Sequence, residues 1–575
     1  MSYTTVKTSL NQFCKNDYLK SKLNDVVLNS NKVVFEAYAF ANLHILRLLE
    51  EGKPLPKLNQ SFFQVCCAYV SAMRDKKEKA QMDDELNITF DKYQVCRPET
   101  FKPAFRDNIS IILNYLAADM EVATTNHLVL NFYKRFSGYV RAKYPDTTAE
   151  YRYGVCKGLY EEKYLGQDPV VLEYRKKLGD KPPYDKYIKK DPSHVLSVYY
   201  EILDFNIKTN GRLFSLLPHK GGFQMSYITI DASVLRDLIV GEHLVPLKDN
   251  RKKAERDYEL PTISQLRKDI ETNSRPYWEK FFNITQHETT NRKFALFKTD
   301  GKTVSIILEV PERPKPVKEQ KKSKKAVSCP YKIEDYGCVV GIDPGYRYTF
   351  VGFNNQDEVV KCSGAQYYHA VGINRVNARQ KRCYDNSPEF LDYKSNMPSS
   401  KTTDSKVLMT YLTYALKGID NAFQVHFNNP FRKWKFTTFI KKQKVFHSLC
   451  KKITKKTNRH DTTTNALVGF GDWSNPRDSI IRGHRRGPVN ALKEELKRWC
   501  PVVSVNEFRT SKLCCCCHCE TTKVKFDGKQ VNSVLRCSNN ECGITIDRDI
   551  NGSKNIYMVF NKMLKGETLP KAFCR

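Results

Sequence analysis

The chain has 575 residues, room for several globular units and too many for one small fold. Hydrophobic residues at 41% and charged residues at 27% exclude a collagenous or wholly disordered chain. Its 95 Lys and Arg outnumber 63 Asp and Glu, a net charge of +32 that repels itself unless a polyanion, usually nucleic acid, neutralises it.

The first twenty residues lack the apolar core of a secretory signal, and the stretch 33–49 is broken by Glu36, Asn42, His44 and Arg47. No membrane partner is expected. In a reducing compartment the 19 cysteines would not form a disulfide framework, and seven of them fall between Cys514 and Cys542, which points to metal.

Residues 1–215 are predicted to be mostly helical. Ser30 and Asn31 are placed to cap a helix whose apolar residues Val34, Ala37, Tyr38, Ala41, Ile45, Leu48 and Leu49 recur at helical spacing and stop before Gly52. A second stripe runs through Ile111, Ile112, Leu113, Tyr115 and Leu116. In 130–144, Phe132, Tyr133, Phe136 and Tyr139 alternate with Lys134, Arg135, Arg141 and Lys143. That pattern suits either bases stacked between phosphate contacts or a core face with a solvated basic back.

Residues 216–310 change period. Alternation at 224–230 and 293–298, a Thr299-Asp-Gly301 turn and an apolar run at 304–310 predict a small β-domain of barrel type. Residues 311–332, rich in Pro and Lys, read as a linker. Its Lys321, Lys322, Lys324 and Lys325 also suit a nuclear localisation patch or a nucleic-acid arm.

From 333 to 575 the predicted order is three strands, helix, strand, helix, strand, cysteine insert, helix. Cys338-Val-Val-Gly-Ile-Asp343 is a buried strand ending in an acid, followed by strands at 347–353 and 358–362. Seven lysines lie between Lys441 and Lys456 on a helix with Phe446, Leu449, Cys450 and Ile453 as its apolar stripe. Strands four and five follow at 465–471 and 501–506, with a helix after Gly487-Pro488 between them.

Three acids stand at element ends: Asp343 after strand one, Glu507 after strand five, and Asp549 at the start of the last helix. Three carboxylates meeting at one point cannot all ionise unaided, because like charges raise each other's pKa, and hard divalent cations such as a pair of Mg²⁺ resolve this. Singly, each has a plainer role: Asp343 suits a turn before Pro344-Gly345, and Asp547 or Asp549 suits a helix cap.

The cysteines carry a stronger signal. Cys514-x-x-Cys517 and Cys537-x₄-Cys542, 19 residues apart, have the spacing of a tetrahedral Zn²⁺ ribbon, expected over 510–545. Cys516 with Cys519 is a rival first pair, and His518 a rival ligand.

Together these pieces resemble the RuvC-like nucleases of the TnpB group, and specifically their eukaryotic relatives, the Fanzor proteins. The matching motifs are Gly341-Ile-Asp-Pro-Gly345, Val468-Gly-Phe-Gly-Asp472, Glu507-Phe-Arg-Thr-Ser-Lys-Leu-Cys514 and Asp547-Arg-Asp-Ile-Asn-Gly552, with His484-Arg-Arg-Gly-Pro488 also Fanzor-like. The likeness covers about 336–560, and the N-terminal half matches in layout only. It implies a multidomain α+β protein: a helical recognition lobe at 1–215, a β-barrel wedge domain at 216–310, the linker at 311–332, and at 333–575 an RNase H-like (RuvC) α/β nuclease domain with the inserted zinc ribbon. The implied activity is RNA-guided cleavage of double-stranded DNA by a monomeric nuclear ribonucleoprotein. The guide is a structured RNA (ωRNA), and Asp343, Glu507 and Asp549 hold two Mg²⁺. Pairing with the guide reads sequence, while the protein reads shape and charge. Lys441, Lys444, Lys452, Arg509 and Lys512 are assigned to nucleic-acid contact.

The family pattern Asp-x-Asn selects Asp549, two residues before Asn551, and leaves Asp547 as a cap or as a group that supports the metal ligand from behind. Bacterial relatives carry the second acid at the end of the fourth strand, where this chain has Gly471-Asp472. In an RNase H-like sheet strand five lies two places from strand one, roughly 10 Å away, so Glu507 must lean across a neighbour whose Gly469 and Gly471 present no side chains. Asp472 remains the rival for that role. A binding protein without cleavage activity, guided or unguided, is the alternative function.

Overall fold

The computed structural model describes residues 2–71, 83–101, 110–179, 181–219, 223–247, 260–311, 330–472 and 487–574. The chain divides into two compact units, Met1–Pro314 with Cys383–Lys433, and Lys315–Arg382 with Trp434–Arg575. No helix among the described residues is long and apolar enough to cross a membrane. The predicted linker 311–332 falls almost wholly outside the described residues, its four lysines included.

The first unit is built on the helices Asp17–Glu50 and Ser110–Lys143. The first starts at Asn16, whose side chain accepts from the Leu19 backbone N–H at 2.9 Å. Ser30 and Asn31, expected as caps, are buried inside it. The Asn31 amide is satisfied within the unit, donating to the Val27 carbonyl at 2.8 Å and accepting from the Ser226 N–H at 2.8 Å, so a polar residue that reads as a helix start works as a tertiary clamp. In the second helix Phe132, Phe136 and Tyr139 are buried, which makes that aromatic stripe core; Tyr133 stays partly exposed.

Strand β1 (Ser2–Ser9) was not anticipated in a helical lobe. It pairs antiparallel with β4 (Thr303–Val310), which pairs with β3 (Lys293–Thr299), and β2 (Ile228–Ile230) completes the order β1-β4-β3-β2. Among the described residues this is an open four-stranded sheet, and the expected barrel does not close. The alternation predicted at 224–230 yields only three strand residues, and helices Ala232–Gly241, Ile263–Thr272 and Arg275–Phe281 fill much of the interval. Residues Cys383–Lys433, predicted inside the nuclease domain, pack into this unit's core through Phe390, Leu408, Leu412 and Phe423.

The second unit holds a five-stranded sheet of β5 (Cys338–Asp343), β6 (Tyr348–Asn354), β7 (Val359–Ser363), β8 (Ala466–Gly471) and β9 (Val502–Val505), ordered β7-β6-β5-β8-β9. β5, β6 and β7 are antiparallel neighbours, while β8 and β9 run parallel to β5, so β9 lies two places from β5 as predicted. β5 and β8 are buried on both faces and read as apolar runs rather than alternations. On one face Val340, Ile342, Val468 and Phe470 meet Phe446, Leu449, Ile453, Leu492 and Leu496 from helices Phe431–Thr454 and Val489–Leu496. On the other, Val339, Leu467 and Val505 meet Ile556, Val559 and Phe560 of the C-terminal helix Arg548–Lys565.

Glycines bring that helix close. A Cβ on Gly341 would stand 2.5 Å from the Tyr557 backbone, and one on Gly469 2.5 Å from the Phe560 ring. The pair Gly341↔Gly469 lies in one register row, so the helix settles into a shallow trough across β5 and β8. Before the helix, β10 (Thr521–Phe526), β11 (Lys529–Cys537) and β12 (Thr545–Asp547) form a separate three-stranded antiparallel sheet. Its hairpin turns at Asp527-Gly528, both with positive φ, as a two-residue turn requires.

Candidate functional site

The acids occupy the ends of three elements that the trough gathers. Asp343 closes β5 and is half-buried. Glu507 follows β9, and Asp549 sits in the first turn of the C-terminal helix, where a carboxylate is favoured by the helix dipole. Asp547 is the N-cap of that helix, accepting from the Asp549 and Ile550 N–H groups at 2.9 and 3.2 Å, the capping role expected of it.

Glu507 crosses β8 toward Asp343. Its carboxyl carbon lies 2.7 Å from where a Cβ on Gly471 would be, and Pro344 Cδ bounds the same space at 2.9 Å. The Asp343 carboxyl carbon lies 3.2 Å from the corresponding point on Gly552. Any side chain at Gly471 or Gly552 would enter the site. Burial first, then the charges of Glu507 and Asp549, push the Asp343 carboxyl well above the ordinary carboxylate range. Burial and Asp547 raise Asp549 in the same sense. Against them act Arg548 on both acids and Arg347 on Asp549. Both arginines are exposed at the rim, and neither was assigned a role from the sequence, where a cation beside an acid has no distinguishing signal.

Asp472 takes a different place. It is exposed, and its Oδ1 accepts from the Glu507 backbone N–H at 3.3 Å while its own N–H donates to the Val505 carbonyl at 2.9 Å. It holds the turn that aims Glu507 and is not among the charges that raise Asp343.

The ligand atoms of the three acids do not all approach within 4.8 Å of one another. A pair of divalent ions about 4 Å apart needs carboxylates spread around both, and a half-buried, oxygen-only donor set that repels itself fits hard cations such as Mg²⁺. Asp343, Glu507 and Asp549 would hold them.

The cysteine centre is compact. Among the described residues, Cys514, Cys517, Cys537 and Cys542 form the one group of three or more His, Cys, Asp or Glu whose ligand atoms all lie within 4.8 Å. The Sγ atoms of Cys517 and Cys537 are 3.3 Å apart and those of Cys514 and Cys542 3.8 Å, against about 3.8 Å for tetrahedral Zn–S bonds of 2.3 Å. Backbone N–H groups of Cys516 and Asn539 point at the sulfurs of Cys514 and Cys537, each at 3.4 Å. The Cys519 backbone N–H, then Cys537, lower the Cys517 thiol, while burial raises that of Cys537. The donor set fits Zn²⁺. His518, the rival ligand, packs its ring edge-on against Phe573, and Cys515, Cys516 and Cys519 stand outside the four.

The other assigned cations are dispersed within this unit. On helix Phe431–Thr454, Lys444 and Lys452 are exposed and Lys441 is half-buried beside Gly372. Lys512 is exposed, whereas Arg509, at positive φ, is engaged by Glu520.

Residues 490–556 match the family model described as the Cas12f1-like TNB domain, a span that contains Glu507, the cysteine centre and Asp549. No curated protein matches the chain. Similar solved structures include a cryo-EM structure of the Cas12f1-sgRNA-target DNA complex, with 12% identity over 97% of this chain and 98% of that one and a TM-score of 0.28. A CRISPR-Cas12f ternary complex has 14% identity over 96% and 98% of the two chains, TM-score 0.22. A Cas12i-crRNA-dsDNA complex has 10% identity over 99% and 92%, TM-score 0.23.

Proposed function

We propose that this protein is an RNA-guided DNA endonuclease of the TnpB group, of the Fanzor kind, that binds a structured guide RNA and hydrolyses phosphodiester bonds in paired target DNA. The observation that carries the reading is the reach of Glu507 across Gly471 toward Asp343, whose carboxyl also feels the charge of Asp549. Stability alone does not explain burying Asp343 beside the charges of Glu507 and Asp549, since a carboxylate there costs free energy unless a cation joins it. Bound Mg²⁺ at these acids supplies activation of water and neutralisation of charge at the scissile phosphate. Arg347 and Arg548 lie where they can hold phosphate oxygens. The match of residues 490–556 to a domain found in Cas12f1-like proteins supports the same assignment.

The net charge of +32 suits a protein that must neutralise an RNA and a separated duplex together. Lys441, Lys444, Lys452 and Lys512 are proposed as backbone contacts. The basic segment 321–325 supports a nuclear address, and one chain per guide RNA is the assembly we favour.

The decisive experiment is Asp343→Ala in protein purified with its own RNA. It should keep RNA-dependent binding of matched DNA and lose Mg²⁺-dependent cleavage. Cutting by the purified variant at the parental rate overturns the assignment, and RNase-resistant DNA binding by the parent overturns the guide.

A further inference from the structure

Two side chains outside the acid and cysteine centres lie between them. Asn551 and Asn555 are one turn apart on the C-terminal helix, and both are 0% exposed. Asn551 Nδ2 donates to the Leu513 carbonyl at 2.7 Å, and its Oδ1 accepts from the Cys515 N–H at 2.9 Å. Asn555 Nδ2 donates to the carbonyls of Thr510 and Leu513, both at 2.8 Å. Its Oδ1 has no hydrogen-bond partner among the described residues, so its tie to the loop runs through its donors alone. Upstream, the Thr510 N–H and Oγ1 donate to the Glu507 carbonyl at 3.2 and 3.0 Å.

These bonds form a continuous connection. It begins at Glu507, passes through Thr510 to Asn555, and reaches the helix six residues after Asp549. A second branch leaves Asn551 and enters the chain at Cys515, next to the cysteine ligand Cys514. Buried amides cost free energy unless paired, and here both pair with the one loop that joins the second acid to the first cysteine pair.

We propose that Asn551 and Asn555 are positioning residues that set the separation of the Glu507 and Asp549 carboxylates, and that through them the cysteine centre and the acids form one rigid assembly. The proposal rests on the reading of the acids as divalent-cation ligands. Zinc at the four thiols fixes the loop from one side, the asparagines fix it from the other, and the acids inherit their spacing from both.

The test uses the full chain with its copurified RNA and Mn²⁺ as the probe of the acids, read by electron paramagnetic resonance. Asn551→Ala and Asn555→Ala should bind matched DNA as the parent does, weaken Mn²⁺ at least tenfold, and lose kcat with KM unchanged. A purely structural role would lower thermal stability and leave the Mn²⁺ affinity of the folded protein alone, and that result overturns the proposal. A second measurement needs no variant. Parent protein stripped of zinc beforehand should show the same weakening, and parental Mn²⁺ affinity in folded, zinc-free protein also overturns it. If Mn²⁺ binds the parent and Asp343→Ala equally, the reading of the acids fails; if Asp343→Ala abolishes binding but the asparagine variants match the parent, only the clamp fails.

Discussion

Gly471→Ala is the sharpest perturbation of the site because it removes no functional group. Gly471 has an ordinary backbone conformation, so alanine meets no φ penalty. The new methyl would stand 2.7 Å from the Glu507 carboxyl carbon and 2.9 Å from Pro344 Cδ, and ordinary contact begins near 3.4 Å. The carboxyl carbon must withdraw by at least about 0.7 Å, and the oxygen facing the strand by more. Overpacking of this size costs about 1–3 kcal/mol of stability, which a folded two-unit protein can lose without unfolding. Displacement of a site group by about 1 Å can lower a rate about 10²-fold. Cleavage of a guide-matched duplex should fall by that order while gel-shift affinity for the same duplex holds. Placed on Glu507→Ala, the same change should add nothing, because the group it displaces is gone. A Gly471→Ala protein that cuts at the parental rate, or a double variant much slower than Glu507→Ala, refutes the crossing of Glu507 over β8.

Further outcomes follow from the same geometry. Serine at any of Cys514, Cys517, Cys537 or Cys542 should abolish the bound zinc and lower the melting temperature, whereas serine at Cys515, Cys516 or Cys519 should leave one zinc per chain, measured by release to a chromogenic chelator. Burial holds His44, His219 and His426 down to about 4 against an ordinary value of 6.5. The unfolded chain therefore binds more protons than the fold between those values, and stability is lost as pH falls through this window, by about 2 kcal/mol per histidine at pH 5. Thermal unfolding at pH 7.5 and pH 5 checks this, and His44→Asn should remove one histidine's share of the loss, about 2 kcal/mol. Reversing the charge of Lys441, Lys444 and Lys452 should weaken nucleic-acid binding and reduce its salt slope by up to about 3, and an unchanged slope makes the segment a solvated helix face.

Much of the second unit was legible in residue pattern alone. The strands around Asp343, at 466–471 and at 502–505 are short apolar runs bounded by Gly, Pro and acids, and their boundaries depend on local chemistry that one residue's neighbours reveal. The cysteine centre was legible because tetrahedral thiolate coordination demands close pairs at short spacing. Ser30 and Asn31 misled because a cap and a buried clamp use the same side chain, and only Ser226, 195 residues away, distinguishes them. β1 escaped notice for a related reason: its partner is β4, about three hundred residues later, and an eight-residue alternation gains meaning only when paired.

The chain order thus determined which acids, thiols and glycines are available and which of them end a strand or open a helix, because those are properties of short segments. That the Glu507 carboxylate lies over Gly471 while Asp472 accepts the Glu507 N–H shows only in three dimensions. Both lie within a few bonds of a strand end, and the choice depends on the trough that the C-terminal helix presses into β5 and β8, where Gly471 leaves space for one carboxylate and the Glu507 N–H occupies the other. Contacts between residues far apart in the chain carry that decision, and no window of sequence contains them.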